Sequence, residues 1–349
     1  MTNKSPRHLL LAGIASLVII FSLGGFGAYY VLEFPNTAFE EGTEEVSLYI
    51  HNDHNYADVF RQLQDGGFLK NETTFDWLAR SMKYDQLVKP GRYIIKGEMS
   101  NRQLIRKLRG GNQDAVRLVF NNIRTHHQLA AVISRQLMSD SASIAELFNN
   151  DSLITSRGFT RENFIAVFIP NTYEIYWNTT AGELLDRMQR EYDRFWNNER
   201  TDKAAKISLT PAQVVTLASI VSEETNKREE YPIIAGLYIN RLKRGMPLQA
   251  DPTVRFALND FTIRRVLYVH LKIDSPYNTY IYKGLPPGPI RLPSPVVVDA
   301  VLNYTRHDYL FMAAKETLNG EHNFARTHAE HIRNARKYQQ ALNARGIRR

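Results

Sequence analysis

Between Leu9 and Leu32 the chain reads LLLAGIASLVIIFSLGGFGAYYVL, about 24 residues without a charge. At about 1.5 Å rise per residue, a helix of this length crosses a bilayer core of about 30 Å. Lys4 and Arg7 precede it, and Glu33, Glu40, Glu41, Glu44 and Glu45 follow it. Basic flanks stay in the cytoplasm, which sends the rest of the chain outward. Tyr29 and Tyr30 suit the outer interfacial belt. The expectation is a cytoplasmic tail over 1–8, a single-pass helix over 9–32 in the cytoplasmic (inner) membrane, and a periplasmic or extracytoplasmic remainder. A cleaved signal peptide is the alternative. The apolar run is longer than a usual signal core, and no clear A-x-A site follows it.

The full chain has 349 residues, 43% of them apolar, enough for a packed core and for two domains. A net charge of +8 suits an anionic partner such as nucleic acid, lipid head groups or an acidic wall polymer. The one basic cluster, Arg333, Arg336, Lys337, Arg345, Arg348 and Arg349, reads as a solvated helix face. Neither an RNA-binding aromatic signature nor zinc-finger spacing is present, so nucleic acid is not an expected partner. With no cysteine, disulfides and thiolate metal sites are excluded.

Residues 33–45 read as an acidic linker. Val46–Ile50 alternates as a strand does, and helical stretches follow at Tyr56–Leu63 and Thr73–Met82. Residues 89–111 read as a turn, a short strand and a helix started by Ser100 and stopped at Gly110-Gly111, and Val116–Phe120 is a further strand. Residues 46–120 therefore form a small α+β module without a catalytic constellation. Beyond it the spacing turns helical at His126–Leu137, Ser141–Asn149, Arg161–Val167 and Ala181–Trp196. Residues 246–294, punctuated by proline and glycine, read as ordered loops. DYLFMAA (308–314) suits a buried strand, and a basic amphipathic helix starts near Thr327. The fold class is α+β: an N-terminal transmembrane helix, a small module over 46–120 and a larger helix-rich domain over 121–349.

ASIVSEETNK (218–227) places Glu223 and Glu224 side by side at the end of an apolar run. Thr210-Pro211-Ala212-Gln213 starts the helix, with a capping threonine, proline at the first position and glutamine completing a capping box. At about 100° per residue, Val214, Val215, Leu217, Ala218, Ile220 and Val221 define one direction. Glu224 falls about 70° from it and Glu223 roughly 170° away. Periodicity thus sends Glu223 to water and Glu224 to the flank of the buried face. A carboxyl against apolar side chains has a raised pKa and is able to donate a proton near neutrality. An ion pair with a nearby Lys or Arg is the blander role for Glu224.

In LQADPTVRF (248–256), Gln249 and Asp251 stand before a proline, which also suits an ordinary turn. Tyr277, Asn278, Thr279 and Tyr280 line up hydroxyls and an amide in a proline-stiffened loop, suited to a saccharide groove or to turns alone. His328 and His331 share a helix face, but no further ligand stands at recognisable spacing, so neither a metal nor a cofactor is expected. No G-x-S-x-G, Walker loop or H-E-x-x-H occurs.

Taken together and in order, LASIVSEET (217–225), YINRLKRGMPLQADPTV (238–254), YNTYIYKGLPPGPI (277–290) and HNFARTHAEH (322–331) resemble the endolytic murein transglycosylases, the MltG or YceG-like family. The resemblance takes in the anchor and a LysM-like small module, and so nearly the whole chain. It implies a lyase that cuts the β-1,4 bond between N-acetylmuramic acid and N-acetylglucosamine in nascent peptidoglycan. Such an enzyme leaves 1,6-anhydro ends and terminates strand elongation beside the synthases. The family's catalytic glutamate, directly before threonine, falls on Glu224. Gln249, Asp251, Tyr277, Asn278 and Thr279 fall on motif positions and imply substrate-groove or supporting roles. Ser222 and Asn171 stand where relatives often carry acidic residues. A non-catalytic wall-binding scaffold and a hydrolytic muramidase are the alternatives. The muramidase needs a second carboxylate about 5–9 Å from Glu224, for which Asp251 is the candidate.

Overall fold

The computed structural model describes residues 6–39, 45–263 and 265–347. Lys4, Glu40, Glu41, Glu44, Arg348 and Arg349, invoked above, lie outside these residues. The architecture is mixed helix and sheet, and the chain divides into two units. One holds residues up to Arg117 together with Glu174–Thr179, and the other holds Leu118–Tyr173 and Thr180–Arg349.

The first unit begins with α1 (Pro6–Leu32), whose stretch Leu10–Leu32 is long and apolar enough to cross a membrane and is exposed from Leu10 to Tyr30. Only its end, Val31 and Leu32, packs on the unit's core. The Asn101 amide donates to the Val31 carbonyl at 3.0 Å. Strands β1 (Val46–Ile50) and β2 (Gly91–Ile95) pair antiparallel, with Leu48 opposite Tyr93. Between them run α2 (Tyr56–Asp65) and α3 (Glu72–Ser81), each started by an asparagine that accepts from the first turn. The chain continues into α4 (Asn101–Gly110), opened by the Ser100 capping box and closed by Gly111 in the left-handed region at φ 71°. Ile50, Val59, Leu63, Phe75, Tyr93, Ile95 and Ile105 fill this core. Strands β3 (Val116–Val119) and β4 (Thr172–Ile175) lie where the chain passes between the units.

The second unit opens with α5 (His126–Ser134), α6 (Ser141–Glu146) and α7 (Asp151–Ser156). The helix expected at Arg161–Val167 is only a 3₁₀ turn over Phe164–Val167. Then follow α8 (Ala181–Phe195), α9 (Asn198–Lys206), α10 (Pro211–Glu224) and α11 (Tyr231–Lys243). The proline-rich stretch expected to be loop contains α12 (Asp251–Ala257), because Asp251-Pro252 opens a helix where a turn was the simpler reading. After α13 (Pro295–Leu302), a hairpin of β5 (Phe311–Ala314) and β6 (His322–Ala325) sets Ala314 opposite His322. β5 is half-buried along its length where a buried strand was expected; α14 (His328–Ala344) packs on it. Arg333, Arg336, Lys337 and Arg345 are exposed on or just beyond α14, as a solvated face requires.

Helix α10 is the axis of this unit. Every residue from Val214 to Val221 is buried, and α9, α11, α12 and α13 pack around it. Its polar residues bond inward: Thr216 donates to the Ala212 carbonyl at 2.9 Å, and Ser219 to the Thr216 carbonyl at 2.7 Å. Ser219 also accepts from the Ile290 amide at 3.0 Å, which pins the GLPPGPI loop to the helix. The loop's far side reaches the start of the unit: the Leu292 amide donates to the Ile123 carbonyl at 2.7 Å, and Arg291 bonds Asn122. Within the loop, a Cβ on Gly288 would lie 2.0 Å from the Glu162 carbonyl oxygen. Backbone approaches that closely only at glycine. Gly288→Ala is expected to cost about 1–3 kcal/mol through overpacking, read as a lower thermal midpoint of the purified chain.

Candidate active site

Both glutamates sit at the C-terminal end of α10, where the helix dipole disfavours negative charge. Their surroundings resolve the conflict in opposite ways. Glu223 is clamped by arginines. Arg124 donates to both its oxygens at 3.0 Å, Arg291 bonds Oε1, and Arg255 stands 3.9 Å from Oε2. Its side chain is only 11% exposed, which corrects the expectation that it faces water. Helical phase does turn it away from Glu224. But α10 is buried all round, so the opposite side is interior as well, and there an anion needs partners. Glu223→Ala leaves three crowded guanidiniums without their anion and is expected to cost about 3–5 kcal/mol, read by chemical denaturation.

Among the described residues, no arginine forms an ion pair with Glu224. Its Oε1 accepts from the Tyr238 hydroxyl at 2.6 Å. Burial pushes its carboxyl up to about 7; the Tyr238 bond opposes the rise, the Asp251 carboxylate adds to it, and His322 and Arg255 oppose it. Tyr238 lies on α11, is buried, and is held well above the ordinary phenol range by burial and then by Glu224. It is therefore a donor that does not itself ionise.

Two adjacent hollows meet at Glu224. One, of about 440 Å³, is lined by Gln249, Asp251, Tyr280, Phe311, His328 and His331 among others. The other, of about 660 Å³, is lined by Lys227, Lys315, Asn319, Glu321, Tyr338 and Arg345 among others. Glu224, Ala314 and His322 line both, so the acid stands at a junction within an elongated groove.

The motif residues divide between groove and frame. Asp251 is exposed at the start of α12, and its Oδ1 accepts from the Tyr280 hydroxyl. Gln249 is exposed at φ 51°, a left-handed backbone uncommon for a side chain of its size. That conformation is over-determined by neighbours: the Gln249 amide donates to the Thr279 carbonyl at 3.0 Å, and buried Arg241 donates to the Leu248 carbonyl at 2.7 Å. Asn278 and Thr279 are buried at 0% and 1% exposure, out of a ligand's reach. Asn278 donates to the Leu271 and Ile273 carbonyls, and Thr279 accepts from the Ala250 amide at 3.0 Å. Their polarity is spent inside the loop, which corrects the expectation of groove contacts and leaves a supporting role. Tyr277 lines neither hollow; its ring packs 4.7 Å from Phe256, and burial pushes its phenol up to about 12.

Sequence reasoning missed Tyr238, Arg241 and Glu230, and it met His322 only as the first residue of the motif run HNFARTHAEH. Tyr238 and Arg241 stand in YINRLKRG at the spacing of one helical turn, which marks a shared face but no chemistry. Arg241 also donates to the Leu310 carbonyl at 2.6 Å, tying α11 to the approach of β5. Among the described residues, no group of His, Asp and Glu side chains is arranged to hold a metal ion.

Fold and site define a class of chain with an N-terminal apolar helix and a mixed helix-and-sheet body. Its groove carries a carboxylic acid poised near neutrality. The chain belongs to the YceG-like family, whose model matches residues 48–337. It is 26% identical over 362 aligned positions to the endolytic murein transglycosylase of Streptococcus pneumoniae serotype 2 (strain D39), covering 95% of this chain and 65% of that protein. This chain thus spans less than two thirds of that relative's length. It is 37% identical over 162 positions to the endolytic murein transglycosylase of Bacillus subtilis (strain 168), covering 46% of this chain and 44% of that one. The crystal structure of a YceG-like protein from Listeria monocytogenes superposes with a TM-score of 0.55 at 26% identity, covering 83% of this chain and 99% of the other.

The Glu224 shift carries a sign for stability. The folded chain holds this proton up to about 7, while an unfolded carboxyl releases it near 4.5. Stability from this group is full below about 4.5 and is lost as pH rises toward and through 7. Glu224→Gln removes the loss. It is expected to stabilise the protein by about 3 kcal/mol at pH 8 and by nothing at pH 4, read from denaturation at the two pH values.

Proposed function

We propose that this protein is an endolytic peptidoglycan transglycosylase, a carbon–oxygen lyase that cuts the MurNAc-β-1,4-GlcNAc bond of nascent strands and leaves 1,6-anhydro-MurNAc ends. The observation that carries the reading is Glu224: a carboxyl shifted to about 7, hydrogen-bonded by Tyr238 and standing where two hollows join. An acid at the middle of a groove suits a strand that runs past it on both sides, hence cleavage within the polymer. The curated relatives carrying the same activity in their names, and the family membership, support the same conclusion.

In this mechanism Glu224 donates its proton to the glycosidic oxygen as the C1–O bond breaks. The substrate's own C6 hydroxyl closes on C1, so no second carboxylate is required as nucleophile. Both reacting atoms belong to one sugar, and the cyclisation draws on proximity. Tyr238 holds the Glu224 side chain in one orientation. Gln249, Asp251 and Tyr280 contact the sugars, while Tyr277, Asn278 and Thr279 keep their loop in shape.

The rest of the chain fits the setting. Helix α1 is read as a single-pass anchor in the cytoplasmic membrane, with Arg7 on the cytoplasmic side and both units outside. Residues 46–120 are read as the LysM-like glycan-binding module, supported by two helices that connect a pair of hydrogen-bonded antiparallel strands, and 121–349 as the catalytic domain. Peptidoglycan synthases are the natural partners of an enzyme that terminates strand growth.

Asp251 lines the same hollow as Glu224, which gives the hydrolytic muramidase one specific observation in its favour. Digestion of peptidoglycan by the full chain in detergent, with chromatography and mass spectrometry of the muropeptides, separates the two. Anhydro ends are expected; reducing ends alone would reject the lyase. Glu224→Gln is expected to lower cleavage by about a thousandfold or more, and an unchanged yield rejects it as the acid. Initial rates should fall as pH rises through about 7, where Glu224 loses its proton. Tyr238→Phe removes a bond that opposes the shift, so this limb moves to higher pH while the rate drops about tenfold.

A further inference from the structure

Glu230 is a buried carboxylate, 5% exposed, that the steps above do not use. It gathers three donors from two directions. Thr225, the residue directly after Glu224, donates its hydroxyl to Oε2 at 2.9 Å. The His322 backbone amide donates to Oε1 at 2.7 Å, and the His322 ring Nδ1 lies 2.9 Å from Oε2. A carboxylate only accepts, so Nδ1 carries the proton in that bond, and the nitrogen at which the ring can take up a proton is Nε2. His322 lines both hollows at the junction where Glu224 stands. Its strand is held by pairing with Ala314, so neither ring nor backbone is free to wander.

We propose that His322 is the base that receives the C6 hydroxyl proton during ring closure, and that Glu230 is its positioning residue. This rests on the transglycosylase reading. The Glu224 proton passes to the glycosidic oxygen, and the C1–O bond pair leaves with that oxygen. The C6 oxygen forms the new bond to C1, and its proton passes to Nε2 of His322. Solvent then returns a proton to Glu224 and takes one from His322, so the balance closes without a further reactant. Dividing acid and base between two side chains lets Glu224 stay an acid until the leaving oxygen departs. The carboxylate–imidazole pair follows the logic that orients catalytic histidines in general: a fixed tautomer with one nitrogen presented to the reaction.

The readout is the share of anhydro ends among all new ends, which a merely supportive residue would not change. Full-length His322→Gln is compared with the unaltered chain on the same peptidoglycan, with thermal midpoints measured alongside. Anhydro-end formation is expected to fall about a hundredfold and its share of new ends to drop as water competes for C1. Glu230→Gln, which keeps a hydrogen-bonding side chain of the same shape, is expected to lower the share in the same direction by less, and it stands in should His322→Gln fail to fold. An unchanged anhydro share in either folded variant, whatever the rate, overturns the role. If cleavage is too slow to apportion, imidazole added to His322→Ala decides. Restored anhydro ends support the base, and no restoration overturns it. Reducing ends from the unaltered chain would instead reject the transglycosylase and the His322 role with it.

Discussion

Two carboxylates end a helix that is buried on every side, and the second unit is organised around satisfying that arrangement. The C-terminal end of a helix repels anions, and a low-dielectric interior repels them further. Glu223 remains paired because Arg124, Arg255 and Arg291 converge on it from three separate parts of the chain. Glu224 is left with a phenol and so holds its proton to about 7. The contrast between neighbours, rather than either residue alone, is what turns a structural helix end into an acid. The arginine clamp also fixes the end of α10, so the acid is presented from a rigid support.

Much of the fold was legible because local signals were strong. The capping box Thr210–Gln213, the Ser100 start and the Gly111 stop, and the alternation of Val46–Ile50 each act within a few residues, and each element forms there. What failed were inferences from one face of one helix. Periodicity assumes that a helix has a wet side, and α10 has none between Val214 and Val221. Glu223 was therefore misread as solvated, since its partners lie 99 and 68 residues away along the sequence.

The site was legible in part for the same reason. Motif spacing picked out the run from Tyr277 to Thr279, yet composition could not say which side chains point outward. Asn278 and Thr279 proved to be the internal bracing, while Tyr280, next in line, bonds Asp251 in the groove. Glu230 stood out by no local pattern. Its meaning comes from His322, 92 residues on, and from a hairpin that brings the two together. Buried polar groups declare themselves only through partners, and partners are a property of the tertiary structure.

The pinning of Asn122 and Ile123 to Arg291 and Leu292 has a consequence for biogenesis. The Asn122–Arg291 pair closes a span of 169 residues. A ribosome adding ~5–20 residues per second needs roughly ten to thirty seconds to supply the second half of that contact. Until then α10 has neither its loop nor its full arginine clamp, and the groove does not exist. The groove is thereby assembled only after Arg291 and Leu292 and the β5–β6 hairpin that carries His322 have been made. This order also makes the unit dependent on late, long-range closure, the stage at which exposed apolar helices most need shielding.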